Sequence, residues 1–281
     1  MKRVYSLLFI SIILGMQSCR ELPARGKPRK DYSERKKTNE FLIDHLIEIK
    51  QSSSGETIEL PAYDASDNII LLSRKGYTTL YNVQNKIPDW VAWHLTSEHT
   101  EGEIKRIGGY QEDESVPSPK ATIEDYKGSR WSHGHMCPAA DNKWDEIAMI
   151  ESNLLTNICP QDKNLNSGLW NRIEQDCRNW AKKYGDVYIV CGPVLLNREH
   201  ETIGENKVVV PEAFFKVILC LQGNPKAIGF VVRNNEGKKK KDQFVNSVDE
   251  VERITGIDFF PALPDDIENE VEAHANLDDW R

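Results

Sequence analysis

The sequence predicts an α+β fold, on three observations. Short apolar runs rich in β-branched and aromatic residues recur along the chain and stop at Gly or Pro, as buried strands do. One long segment, Ser167–Tyr184, instead repeats its apolar residues at helical spacing. Strand-like and helix-like segments do not alternate regularly, which argues against a parallel βαβ sheet.

At the N-terminus, Lys2 and Arg3 precede an apolar stretch of 13 residues, Val4–Met16, which matches a signal h-region and is too short to span a bilayer. Gln17 and Ser18 then lead to Cys19, the expected site of cleavage and lipid attachment, although Met16 stands where Leu is more usual. Residues 1–18 therefore read as a signal peptide, and the protein as exported and held to a bacterial cell envelope by a lipid on Cys19, or else secreted. Residues 20–39 are polar, contain Pro23 and Pro28, and read as a tether. Phe41–Lys50 has the spacing of a short helix, and Gln51–Gly55 is a loop. A domain is expected over residues 61–264.

Within that domain, IILLS from Ile69, YTTLYN and WVAWHL read as strands, followed by a loop-like stretch over residues 100–130. In the long helix Leu169, Ile173, Cys177, Trp180 and Tyr184 form the apolar stripe, Ser167 is the expected cap and Gly185 the stop. VYIVC, AFFKVILCL and AIGFVV are three further buried strands. Ser247 with Glu250 reads as a capping box opening a last helix, which Gly256 closes. Residues 265–281 read as an acidic tail.

Of the 281 residues, 39% are hydrophobic and 28% charged, which suits a soluble domain and excludes a membrane bundle. A net charge of -8 weighs against a phosphate partner. Residues 262–281, however, hold seven acids against Arg281, a net of −6, so the body is close to neutral and keeps basic clusters such as Lys238–Lys241. Beyond Cys19 five cysteines remain, so at least one thiol has no partner within the chain.

Polar groups concentrate between Trp131 and Glu174, in SHGHMCPAADN, TNICPQ and NLNSGLWNRIE. Hydrolysis of a phosphodiester needs a base for water and a cation against the developing charge. An imidazole suits the first task, and a hard, hydrated ion held by few oxygens suits the second. His135 and Asn166 meet that minimum. Glu174 lies eight residues beyond Asn166, an offset of about 80° and about 12 Å along a helix, so it is expected to hold a water on the ion rather than the ion itself.

These segments resemble the DNA/RNA non-specific endonuclease family, the endonuclease G-like ββα-metal nucleases. That family carries an Asp-Arg-Gly-His block, then Asn-x-x-Pro-Gln, then Leu-Asn-x-x-x-Trp-x-x-Leu-Glu opening a helix. The counterparts are SHGH (132–135), NICPQ (157–161) and LNSGLWNRIE (165–174), in an order that PDWVAWHL, EDYKGS, GPVLL, VPEAFFKVIL and TGIDFFP extend over residues 65–265. The resemblance implies a central antiparallel sheet flanked by helices, with a ββα-metal element carrying the site. It implies His135 as general base, Mg²⁺ (or Mn²⁺) on Asn166, Glu174 holding a metal water, Asn157 and Gly134 shaping the site, and Arg106 on phosphate. DNA and RNA would be the substrates, 5′-phosphates the products, and a homodimer is left open. The chain departs from the pattern at Ser132 and His133, where the family has Asp and Arg. Because His is cationic only at lower pH, a phosphate contact by His133 would make the enzyme weaker or acid-shifted. Two alternatives stand beside this reading: a nucleic-acid-binding module that has lost catalysis, and a zinc site on His133, His135 and Cys137 with Cys159 as a fourth ligand.

Overall fold

The computed structural model describes residues 57–281. The signal segment, Cys19, the tether and the short helix lie outside the described residues. Among the described residues no helix is long and apolar enough to cross a membrane.

In chain order the elements are β1 (Ile69–Ser73), β2 (Thr78–Asn82), β3 (Ile87–Thr96), α1 (Ile123–Tyr126), β4 (Ser132–His135), α2 (Glu146–Ser152), β5 (Ile158–Gln161), α3 (Asn171–Tyr184), β6 (Asp186–Val194), β7 (Thr202–Ile203), β8 (Val208–Val209), β9 (Ala213–Cys220), β10 (Lys226–Arg233), β11 (Val245–Asn246), α4 (Val248–Thr255) and α5 (Asp265–Glu272). Seven strands form one sheet in the order β1-β2-β3-β6-β9-β10-β11, antiparallel at every pairing. The α+β class and the central antiparallel sheet are as the sequence and its resemblance predict.

The period-2 alternation of the central strands divides the core in two. Val91, Trp93 and Leu95 of β3, Ile189 and Cys191 of β6, and Phe214 and Ile218 of β9 face one layer. There they meet Ile173, Cys177 and Trp180 of α3 with Ile158 and Cys159 of β5. Trp90, Val190, Phe215 and Val217 face the other layer, against Val248 and Val251 of α4, Ile267 and Val271 of α5, and Phe259. The sheet is therefore covered on both sides, and β9 is buried at every position.

Two ends differ from expectation. Residues 265–281 are no tail: α5 buries Ile267 and Val271, and Trp280 is 2% exposed, packed on Trp180 at 4.5 Å between ring centroids. Three apolar anchors outweigh the acidic composition because most of the acids, Glu272 excepted, occupy the outer face. The helix read from Ser167 starts earlier. Asp162 Oδ1 accepts the backbone N–H groups of Asn164 and Leu165 at 2.9 Å, and a π-helical turn over Leu165–Trp170 leads into α3. Ser167 is not the cap; its hydroxyl donates back to the Lys163 carbonyl. Gly185 does close α3, at φ 97°, where a side chain is strained. Ser247 accepts the Glu250 N–H at the start of α4 as expected, while the Glu250 carboxylate turns to Arg253, so only half of the capping box forms. All five described cysteines are buried.

Candidate active site

A two-stranded ribbon supplies the site's base. Strands β4 and β5 pair Gly134 with Cys159 and His135 with Ile158. Gly134 is required by this pairing: a Cβ there would lie 2.5 Å from Gln161 Oε1 and 2.6 Å from its Cβ. The chain leaving β4 is fixed by Asn157. Its Oδ1 accepts from Cys137 N at 2.9 Å, and its Nδ2 donates to the carbonyls of Cys137 and Ser152 at 2.9 and 2.8 Å. Fully buried, with three hydrogen bonds, Asn157 shapes the loop beside His135 without reaching the cleft.

A cleft of about 370 Å³ opens where this ribbon meets the start of α3, and Arg106, His135, Lys143, Asn166, Glu174 and Arg178 all line it. The expected base, ion ligand, helix acid and arginine thus come to one place. A larger cleft of about 530 Å³ lies elsewhere, but it carries Asp64, Asp89 and Asp258, offers no imidazole, and would repel a phosphate.

The orientation of each group follows from its partners. His135 Nε2 lies 3.2 Å from Asn153 Oδ1, and Asn153 Nδ2 is committed to the Met149 carbonyl at 3.1 Å. The amide therefore presents its oxygen, Nε2 carries the proton, and Nδ1 is left as the basic nitrogen. Arg106 Nη2 stands 3.5 Å from the same Nε2, a close approach of two donors. Burial of the ring, and then the Arg106 cation, hold the imidazole down at about 4 against the opposing hydrogen bond that it donates to Asn153. It is neutral at neutral pH, as a base must be. Asn166 Nδ2 donates to Ser132 Oγ at 3.1 Å and to the His133 carbonyl at 3.2 Å. A carbonyl oxygen can only accept, so the amide nitrogen is assigned and the Asn166 Oδ1 remains for a cation.

Glu174 lies partly exposed on α3. Burial pushes its carboxyl up to about 7, with Lys216 opposing. It does not pair with Arg178, four residues on. Arg178 turns instead to Asp141 at 2.7 Å, and Asp141 also accepts Trp93 Nε1 at 3.2 Å. Behind them Lys216, fully buried on β9, sits 4.8 Å from the Trp93 ring and 4.9 Å from the Trp170 ring. Burial opposes its charge, and Cys191, Cys177, Glu174 and Asp141 outweigh that and raise its pKa. Three cations (Arg106, Lys143 and Arg178) thus surround one carboxylate in a chain that is acidic overall, which gives the cleft the sign a phosphate requires.

His133 is a correction. It does not line the cleft. Its ring is stacked between Tyr110 and Tyr126, at 4.0 and 4.1 Å between centroids, and its Nε2 is buried without a hydrogen-bond partner. Burial holds its pKa down at about 4, so it supplies no cation near neutrality and no acid shift. The zinc alternative also falls. Among the described residues, His133, His135, Cys137 and Cys159 do not bring three ligand atoms within 4.8 Å of one another; Cys137 is buried against Asn142. Sequence reasoning misses Asn153, Lys143 and Arg178. Asn153 is the one with a signal, since a polar residue in SNLLTN is unexpected at a buried turn.

Residues 54–266 match the DNA/RNA non-specific endonuclease family. The chain is 37% identical over 201 residues to the mitochondrial nuclease EXOG of Mus musculus, covering 65% of this chain and 55% of that one. It is 31% identical over 220 residues to the mitochondrial endonuclease G of Homo sapiens, covering 73% and 74%. It spans about half the length of the EXOG relatives it matches. A chain in the crystal structure of the EndoG/EndoGI complex superposes with a TM-score of 0.67 at 27% identity, covering 72% of this chain and 89% of that one.

Proposed function

Because the chain belongs to the DNA/RNA non-specific endonuclease family, we propose that it hydrolyses phosphodiester bonds of DNA and RNA, with His135 as general base. The observation that carries this is the convergence of a neutral, oriented imidazole, an amide oxygen with its nitrogen spoken for, and three cations on one cleft.

The donor set fits a hard divalent ion. Asn166 Oδ1 would hold it directly and Glu174 would hold it through water; oxygen donors of this number suit Mg²⁺, with Mn²⁺ a substitute. When bound, such an ion supplies positive charge at the scissile phosphate. The remaining steps belong to the chain's own groups. Asn153 fixes the His135 ring so that Nδ1 receives the proton of the attacking water. Arg106, Lys143 and Arg178 attract the backbone of the nucleic acid. A phosphate that draws the charge of Arg106 away from His135 Nε2 also removes one cause of the depressed imidazole pKa. The base therefore strengthens as substrate arrives. Contacts of this kind touch phosphate and not base edges, which accounts for low sequence preference. The 5′-phosphate products, a homodimer, and export with a lipid on Cys19 belong to the same reading; the last is supported by the residue order from Lys2 to Cys19.

The test is a plasmid-nicking assay of the purified protein and of His135→Ala, with Mg²⁺ and with EDTA. Nicking by the wild type only with the ion, reduced in the variant by roughly 10²–10⁴-fold, is the expected result. Equal nicking by the two proteins, or nicking unaffected by EDTA, would overturn it.

A further inference from the structure

Away from the cleft, α4 and α5 bring three carboxylates together on the opposite side of the sheet. Asp249 and Glu252 stand one turn apart on α4, and Glu272 ends α5. One oxygen from each lies within 4.8 Å of the other two. Asp249 is exposed, Glu252 half-buried, and Glu272 only 5% exposed. Asp258, in the connection between the helices, and Glu268, a turn before Glu272, add their charge to the same place.

Like charges gathered this closely repel one another unless a counterion stands among them. None of these acids enters an ion pair among the described residues. Glu252 Oε1 accepts the Phe259 N–H at 2.8 Å. Glu272 Oε1 is buried with no hydrogen-bond partner at all. A carboxylate oxygen withdrawn from water and given no donor is strongly destabilising unless a cation meets it or the group takes up a proton. The donors are all hard oxygens, which excludes soft metals. Among the hard ions, Ca²⁺ takes several carboxylates in flexible geometry, whereas Mg²⁺ demands a near-ideal octahedron and keeps most of its waters on one or two carboxylates, so a set of three carboxylates favours Ca²⁺. Asp249, at the solvent edge, leaves room for the waters that would complete six to eight oxygens.

We propose that Asp249, Glu252 and Glu272 form a calcium site that clamps α5 to α4 and so fixes the C-terminal segment on the sheet. The site is separate from the catalytic cleft and shares no residue with it.

The purified chain, stripped with EDTA, is titrated with CaCl₂ by calorimetry and followed by thermal melting, without Mg²⁺. Wild type is compared with Asn166→Ala, which removes the cleft's direct ligand, and with Asp249→Asn/Glu252→Gln. Expected is a saturable Ca²⁺ site that raises the melting temperature by several degrees, persists in Asn166→Ala and disappears in the double variant. Glu272→Gln provides an independent check if the double variant does not fold. It removes the buried charge, so it should melt at or above the stripped wild type and no longer respond to CaCl₂. No response of the wild type to CaCl₂, as expected if Glu272 is simply held neutral by a proton, would overturn the proposal. So would a response lost in Asn166→Ala, or one retained by the double variant or by Glu272→Gln.

Discussion

The two faces of the central sheet are built from different materials. Under α4 and α5 the packing is almost wholly apolar: Trp90, Phe215, Val217, Phe259, Ile267 and Val271 meet with little polar material until Glu272 at the rim. Under α3 and the β4–β5 ribbon the same sheet buries Asn153, Asn157, Asp141 and Lys216 among its apolar side chains. Apolar packing has no direction, whereas each buried amide or charge specifies where its partner must lie. One face therefore supplies cohesion, and the other accepts the desolvation of polar groups to hold a base, an ion ligand and an arginine within one cleft.

A pair of truncations breaks this comparison if it is wrong. His135→Ala should lower kcat/KM by roughly 10²–10⁴-fold and leave the melting temperature close to wild type. Phe259→Ala, on the apolar face and fully buried against Phe215 at 5.4 Å, should do the reverse, costing about 3–5 kcal/mol of stability with kcat/KM of the folded protein unchanged. Denaturant unfolding and nicking rates on the same samples check both. A Phe259→Ala protein that is stable but slow would mean that the faces do not divide the labour.

Ionisation sharpens the contrast. Glu174 is raised to about 7 by burial, so below that pH it carries a proton and cannot hold a hydrated ion. The Mg²⁺ concentration for half-maximal activity should climb as pH falls from about 8 to about 6, by up to about tenfold per pH unit, and Glu174→Gln should flatten that climb. His135, held near 4, remains a competent base throughout this window, so activity at saturating Mg²⁺ should persist well below pH 6.5. An Mg²⁺ requirement that is the same at pH 6 and pH 8 would count against Glu174.

Asn153 tests the polar face through a group that never touches substrate. Asn153→Leu keeps the volume and removes the acceptor for His135 Nε2–H, freeing the imidazole to take the other tautomer. The expected loss is about tenfold in kcat, in line with one hydrogen bond, with KM little changed. Asn153→Asp retains the acceptor and should keep more of the rate than Asn153→Leu; equal rates for the two variants would sink the positioning role.

How much of this the sequence discloses depends on range. The strands are legible because burial on both faces leaves continuous apolar runs such as AFFKVILC. His135, Asn166 and Glu174 are legible because their spacing lies within one ribbon-and-helix unit. Trp280 was hidden by the acids around it, since composition averages over the one side chain that anchors the segment. Asp162 is not legible as a cap because the π-helical turn moves the helix start away from its apolar stripe. Helical spacing alone would offer Arg178 to Glu174, four residues before it, but Asp141, 37 residues away, is the more buried partner.

His133 has the same cause and the smallest expected effect. Its position two residues before the base suggests a phosphate contact, but the rings that decide its role come from elsewhere: Tyr110 in the long loop and Tyr126 at the end of α1. A neutral imidazole between two phenol rings is an aromatic plate, and its buried Nε2 makes no hydrogen bond that a substitution could break. His133→Phe should preserve the stack, whose pair energies are about 0.5–1.5 kcal/mol each, and change kcat/KM by less than about twofold between pH 5 and 9, because no charge is removed. A cationic His133 on phosphate predicts something else: a loss confined to the acid side of the profile. The two accounts part in the ratio of variant to wild-type rate at pH 5, where a flat ratio fits the plate and a falling one restores the phosphate contact.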